Sequence, residues 1–399
     1  MRLCFVIQRF GLEVAGGSEL HCRWLAGRLA ARHQVRVVTT TALDYLEWAN
    51  HYPPGGAVVD GIPVTRHRVE RPRSIRRFAA LSERVFDDDE HTRDDEIAWV
   101  EENGPFVPAL VRALPALRDI DLFIFYSYRY YQTFFGLPTV ADRAVLVPTA
   151  EEDPAIELPI FHALLRQPRG ILYLTPEERS LVHTSCGNAA VPSSVIGSGV
   201  NIPPGHVSVD VAARFGIAAP FLLYAGRIDR NKGADRLFTY YERVRAEWPD
   251  VPPLILIGTA ALKVPDDPKV RHLGFVSEEE KFALIRECTV LLMPSPYESL
   301  SVVVLEAWAM GRPVLVNAAC RVLEAQCIRS GGGLFYRGYS EFADALRRLA
   351  TDRPLRAVLG AAGQAYVRAE YDWDIVERRT EGFLESLIRP AAGGPPAGV

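Results

Sequence analysis

Cysteine is scarce and scattered in this 399-residue chain: Cys4, Cys22, Cys186, Cys288, Cys320 and Cys327, with no C-x-x-C pair among them. That spacing excludes the common zinc-site patterns and offers no disulfide framework; it fits reduced thiols in a cytoplasmic protein. Long apolar runs are missing too, and none approaches the ~18–20 residues that span a bilayer. The opening MRLCFVIQRFG has an apolar core too short for a signal peptide and no small-residue cleavage site after it. A cytoplasmic location is expected, with peripheral contact at the inner membrane face left open. Charge of one sign is also lacking. Lys and Arg total 45 against 49 Asp and Glu, a net charge of -4, which gives no reason to expect nucleic acid as a partner. The oligomeric state is not legible.

What is present is a regular alternation. RLCFVIQ (2–8), QVRVVTT (34–40), DLFIFYSY (121–128), RAVLVPT (143–149) and GILYLT (170–175) read as buried strands. Helical patterns lie between them. Ser18 to Arg32 carries a stripe of Leu20, Trp24, Leu25 and Leu29, with Ser18 as the expected N-cap. Thr175-Pro176 reads as a helix start with proline at the first position. GSGVNIPPGHVSV (197–209) interrupts the series and reads as a linker. Strands at 221–226, 253–258, 289–294 and 313–317 follow, with helices from about Ala234, Ser277 and Ser301.

Two such series predict two doubly wound, Rossmann-like α/β domains with parallel sheets facing a central cleft. The expected division is 1–198, 199–372, a C-terminal helix at 373–389 crossing back to the first domain, and a disordered tail at 390–399. Two segments break the alternation: six arginines in 66–77 and a dense acidic run in 87–102. A solvated excursion whose halves partly neutralise each other is the plain reading. A basic patch for an anionic membrane or a phosphate-bearing acceptor is the sharper one.

Three motifs carry candidate chemistry. In YESLSVVVLEAWAMG (297–311), Glu306 is an acid inside a helix that is apolar on all sides. Such a helix should be buried, so Glu306 needs partners, either a ligand or a buried arginine. Glu298 lies in the loop leading to the helix's positive end. YAGRIDRNKG (224–233) follows a strand and precedes a helix, placing Arg227 and Lys232 at a strand's carboxyl end. A guanidinium fork and a compact ammonium together suit a diphosphate; two surface cations in a turn are the alternative. GLEVAGGSE (11–19) follows the first strand, and Gly16 and Gly17 would let backbone N–H groups approach an anion. It is not G-x-G-x-x-G, so an NAD site is unsupported.

In this order and on these elements, the motifs resemble retaining GT-B glycosyltransferases of family 4, with Glu298 to Glu306 matching their E-x7-E signature. GGGLFY (331–336) is similar to that family's late segment. The resemblance implies that Arg227 and Lys232 hold the diphosphate of a nucleotide sugar and assist its departure. Glu298 would contact the donor sugar, Glu306 the ribose hydroxyls, and Leu300 and Ser301 would offer amides to the phosphate. Gly17, beside Gly16, would lie against the donor phosphates, and Val276 in HLGFV (272–276) would mark a strand edge for the nucleobase. Ser299 and Ser301 stand where the family often has glycine.

AEEDP stands where many relatives in that family carry a histidine or aspartate near the sugar, making Glu151, Glu152 and Asp153 candidates for donor-sugar or acceptor contacts or, equally, a helix N-terminal cluster. Arg129, in SYRYYQTFF, joins them. The acceptor implied is a carbohydrate or a lipid-linked molecule. No cofactor and no metal are expected, and the D-x-D pattern at 87–89 is discounted because no strand precedes it. A hydrolase using Glu298 and Glu306, a nucleotide-sugar epimerase or phosphorylase, and a non-catalytic sugar binder are the alternatives.

Overall fold

The computed structural model describes residues 1–14 and 16–388. The expected disordered tail at 390–399 lies outside them. The described residues divide into two compact units, one from the first 196 residues with 377–388 and one of residues 197–376.

The first unit is built on an eight-stranded sheet: β1 (Arg2–Val6), β2 (Gln34–Thr40), β3 (Gly55–Val59), β4 (Ile62–His67), β5 (Leu122–Tyr126), β6 (Ala144–Val147), β7 (Gly170–Tyr173) and β8 (Ser193–Val195). Their order is β3-β4-β2-β1-β5-β6-β7-β8. Every pairing is parallel except the β3–β4 hairpin. Asp60 and Gly61 close that hairpin with positive φ at both positions, the geometry that matches strand twist. β5, β6 and β7 are buried along their whole length, as parallel strands covered on both faces should be. Phe123, Phe125, Leu146 and Ile171 sit in the resulting core.

The charged segments of this unit meet each other. Glu102, buried on the helix Arg93–Asn103, accepts from the Ser74 N–H at 2.7 Å and lies 3.4 Å from Arg77 and 3.8 Å from Arg71. Arg73 donates to the Asn103 side chain at 2.9 Å, and Arg84 lies 3.4 Å from Asp95. Of the D-x-D residues, Asp87 ends the helix Ile75–Phe86 and Asp88 pairs with Arg84.

The second unit carries β9 (Leu222–Ala225), β10 (Leu254–Ile257), β11 (Val270–His272), β12 (Val290–Met293), β13 (Val314–Asn317) and β14 (Gly333–Tyr336), all parallel, in the order β11-β10-β9-β12-β13-β14. The predicted linker is not featureless: it holds a 3-10 helix, Pro204–Ser208, and belongs to this unit. The helix Trp373–Ile388 begins here, and from Glu377 onward its residues belong to the first unit. There Glu377 and Glu381 pair with Arg32 at 2.5 and 2.8 Å.

Candidate active site

In the second unit, β9 and β12 are adjacent parallel strands, so the loops after them start side by side at the carboxyl edge of the sheet. The loop after β9 holds Arg227 and Lys232. Asp229 organises it: its carboxylate accepts from the Lys232 backbone N–H at 2.8 Å and lies 3.2 Å from the Arg227 guanidinium. Gly233 ends the loop with φ 70° and starts the helix Ala234–Glu247. A Cβ at Gly233 would run into the Pro294 carbonyl of the loop after β12, so glycine is what lets the two loops touch.

The loop after β12 carries Glu298. Asn317 donates to the Pro294 carbonyl at 2.9 Å, and the Ser295 hydroxyl donates to the Tyr297 carbonyl at 2.9 Å. Lys232 Nζ lies 2.7 Å from Glu298 Oε1, which joins the two motifs directly. Ser301 is the N-cap of the helix Val302–Ala309, but its side chain makes no capping bond. Ser301 therefore leaves the first N–H groups at the helix's positive end without a bond from its own side chain. Leu300 and Ser301 are both buried beside them.

The helix is less enclosed than its composition predicts. Val304 to Trp308 are buried, but Val302, Val303, Ala309 and Met310 are only half-buried. Glu306, with its side chain 3% exposed, does have a partner, but it is not an arginine. Lys281 Nζ lies 2.8 Å from Glu306 Oε1 and 2.8 Å from Glu278 Oε2. Burial pushes the Glu306 pKa up, and Lys281 pulls it back. The Lys281 ammonium is itself pulled down by burial but ends above its usual value, because Glu306 and Glu278 face it. Lys281 carries no motif signal. A cation three positions after a helix start was visible in SEEEK, yet nothing local tied it to Glu306.

In HLGFV the strand is shorter than expected. The strand there is β11, Val270–His272, and Val276 lies beyond it, half-buried and next to Ser277. Ser277 and Glu280 form a reciprocal capping box that starts the helix Glu278–Glu287. A strand cannot extend into that turn, because Gly274 takes φ 74°.

In the first unit the glycine loop also differs from expectation. The helix is Gly17–Ala30 and its N-cap is Gly16, not Ser18. Ser18 instead donates its hydroxyl to Glu19 at 2.8 Å. Glu19 is the buried post of the loop. Its Oε1 accepts from Gln8 at 3.0 Å and from Arg9 at 2.9 and 2.6 Å. A Cβ on Gly16 would collide with this carboxylate, whereas one on Gly17 would meet nothing within 4 Å. Gly16 is thus required by packing inside the unit, and Gly17 is not.

At the carboxyl ends of β5 and β6, Arg129 lies 2.7 Å from Asp153 and 3.8 Å from Glu151. Burial lowers the Arg129 pKa, but Tyr128, Asp153 and Glu151 together leave it raised. Asp153 also caps the 3-10 helix Pro154–Glu157, accepting from Ala155 at 3.2 Å. Ser127 and Thr149, one on each loop, both adopt positive φ, and their hydroxyls bond at 2.8 Å. Glu152 is exposed next to this cluster. Among the described residues no three or more His, Cys, Asp or Glu side chains group to hold a metal, and no helix is long and apolar enough to cross a membrane.

Two Rossmann-like parallel-sheet units with this strand order define the GT-B fold. Sucrose-phosphate synthase from Thermosynechococcus elongatus shares it, with a TM-score of 0.70 at 17% identity over 97% of this chain and 99% of that one. Residues 219–352, which contain Arg227, Lys232, Glu298 and Glu306, match the family model described as Glycosyl transferases group 1. A D-inositol 3-phosphate glycosyltransferase from Stackebrandtia nassauensis is 34% identical over 191 residues, 43% of each chain. A GDP-mannose-dependent monoacylated alpha-(1-6)-phosphatidylinositol monomannoside mannosyltransferase from Corynebacterium glutamicum is 27% identical over 186 residues, 43% of this chain and 48% of that one. The match therefore spans less than half the length of these two relatives.

Proposed function

We propose that this protein is a retaining, metal-independent glycosyltransferase of family 4 that moves a sugar from a nucleotide-diphosphate donor to a hydroxyl of a carbohydrate or lipid-linked acceptor. The observation that carries the reading is the 2.7 Å contact between Lys232 and Glu298. It brings a cationic loop and a carboxylate loop together at the carboxyl edge of one sheet, where ligands of such folds bind.

In this reading Arg227 and Lys232 take the diphosphate, and the uncapped start of the helix Val302–Ala309 adds its N–H groups. Lys232 exchanges Glu298 for phosphate oxygen, releasing Glu298 to accept from a donor-sugar hydroxyl. Glu306 accepts from the ribose, and Val276 lies by the base. The bond from the sugar C1 to the diphosphate oxygen breaks. The acceptor oxygen then bonds C1 on the same face, and its proton passes to the departing phosphate oxygen. Arg129, Glu151, Glu152 and Asp153 belong to the acceptor side. A hydrolase would need Glu298 and Glu306 to share one glycosidic bond. Here they face different lysines on separate elements, Lys232 and Lys281, and the cationic loop beside Glu298 suits a diphosphate.

The test is a binding and turnover panel of UDP-, GDP- and ADP-sugars, with the anomeric configuration of the product read by NMR. Donor binding, slow donor hydrolysis without acceptor and its loss in Arg227→Ala are expected. No binding or turnover of any donor, or an unchanged Arg227→Ala, refutes the reading.

A further inference from the structure

We infer that Lys281 is a positioning residue that aims the Glu306 carboxylate at the ribose diol of a nucleoside diphosphate. The inference rests on the donor-binding reading above and adds to it the residue that makes Glu306 competent. Three observations support it. First, Lys281 is held in place on a helix whose start is locked by the Ser277–Glu280 capping box, with bonds of 2.9 and 3.2 Å. Second, Lys281 is anchored by Glu278 at 2.8 Å, so its ammonium cannot follow Glu306 freely. Third, it contacts one Glu306 oxygen, Oε1, at 2.8 Å.

The last torsion of a glutamate is broad and weakly restrained by itself. A fixed ammonium on Oε1 sets the plane of the carboxylate and hence the direction of Oε2. A vicinal diol presents two hydroxyl donors in one plane, which an oriented, ionised carboxylate can meet and a rotating, protonated one cannot.

The experiment is calorimetry on the full chain with whichever of UDP, GDP and ADP the wild type binds most tightly, alongside its 2′,3′-dideoxy counterpart. Lys281→Met should weaken the ribonucleotide about tenfold, equal to ~1.4 kcal/mol. It should weaken the dideoxy form less than about twofold, because the lost contact is absent there. Lys281→Arg should return ribonucleotide affinity to within about threefold of wild type. Equal losses on both nucleotides would mean that Lys281 merely supports the fold, and would overturn the inference. So would a Lys281→Met protein with unchanged affinity. A wild type that binds none of the three nucleotides removes the donor-binding reading itself, a result distinguishable because it needs no variant.

Discussion

Removing Glu19 should destabilise the first unit more than any other single change at the glycine loop. The Arg9 and Glu19 side chains are 8% and 7% exposed, so the pair is out of water. Glu19→Ala leaves the Arg9 guanidinium buried beside an empty volume. Arg9 keeps its bond to the Leu43 carbonyl at 2.8 Å but loses the carboxylate that accepts from its Nε and Nη2. Breaking a buried pair from one side typically costs ~3–5 kcal/mol. Loss of the acceptor for Gln8 and Ser18 acts in the same direction.

For a unit of this size, with ~2–4 °C of melting temperature per kcal/mol, the expected drop is about 6–20 °C. The assay is thermal and urea unfolding followed by circular dichroism. Replacing both partners, Arg9→Met with Glu19→Met, should recover much of the loss, because an apolar pair carries no uncompensated charge. A drop below about 1 kcal/mol for Glu19→Ala, or a double variant less stable than the single one, would refute the reasoning.

Three further outcomes can be checked. Burial pushes the Glu178 carboxyl up from 4.5 to about 8, against the pull of the Leu174, Ala150 and Thr175 N–H groups. The folded state therefore holds an extra proton between those values, and this contribution is complete below pH 4.5 and lost as pH rises through about 8. Wild-type stability measured against Glu178→Gln should fall across that window by several kcal/mol; parallel pH profiles would contradict it. Gly233→Ala should cost about 1–2 kcal/mol for the left-handed backbone alone, plus the push against Pro294. A denaturation midpoint equal to wild type would show that the two loops do not need this contact. Lys232→Met should lower kcat by ~10²–10³ if the ammonium stabilises the departing diphosphate. A kcat within about threefold of wild type would place the leaving-group stabilisation elsewhere.

Much of the architecture was legible because its signals are local. Buried parallel strands read as short apolar runs, and β2 has the bounds expected from QVRVVTT. Thr175 and Ser277 cap their helices through bonds to residues three positions on, so their signals are within the reading window. The hairpin β3–β4 was missed even though Asp60-Gly61 is a strong turn signal, because β3 is mostly exposed and carries little apolar pattern. Ser18 looked like a cap, but Glu19 draws its hydroxyl away from the helix amides.

The candidate site divides along the same line. Sequence alone determined that Arg227, Lys232 and Glu298 stand in loops at strand ends and that Glu306 sits in an apolar helix, since each follows from residue type and neighbours. Which charges meet was set by the fold. Lys232 reaches Glu298 across 66 positions, Lys281 reaches Glu306 across 25, and Arg77 reaches Glu102 across the two charged segments. A buried or half-buried charge must find its counter-charge wherever the sheet order brings one. Strand order is a property of the folded sheet, because parallel neighbours such as β9 and β12 are distant in sequence.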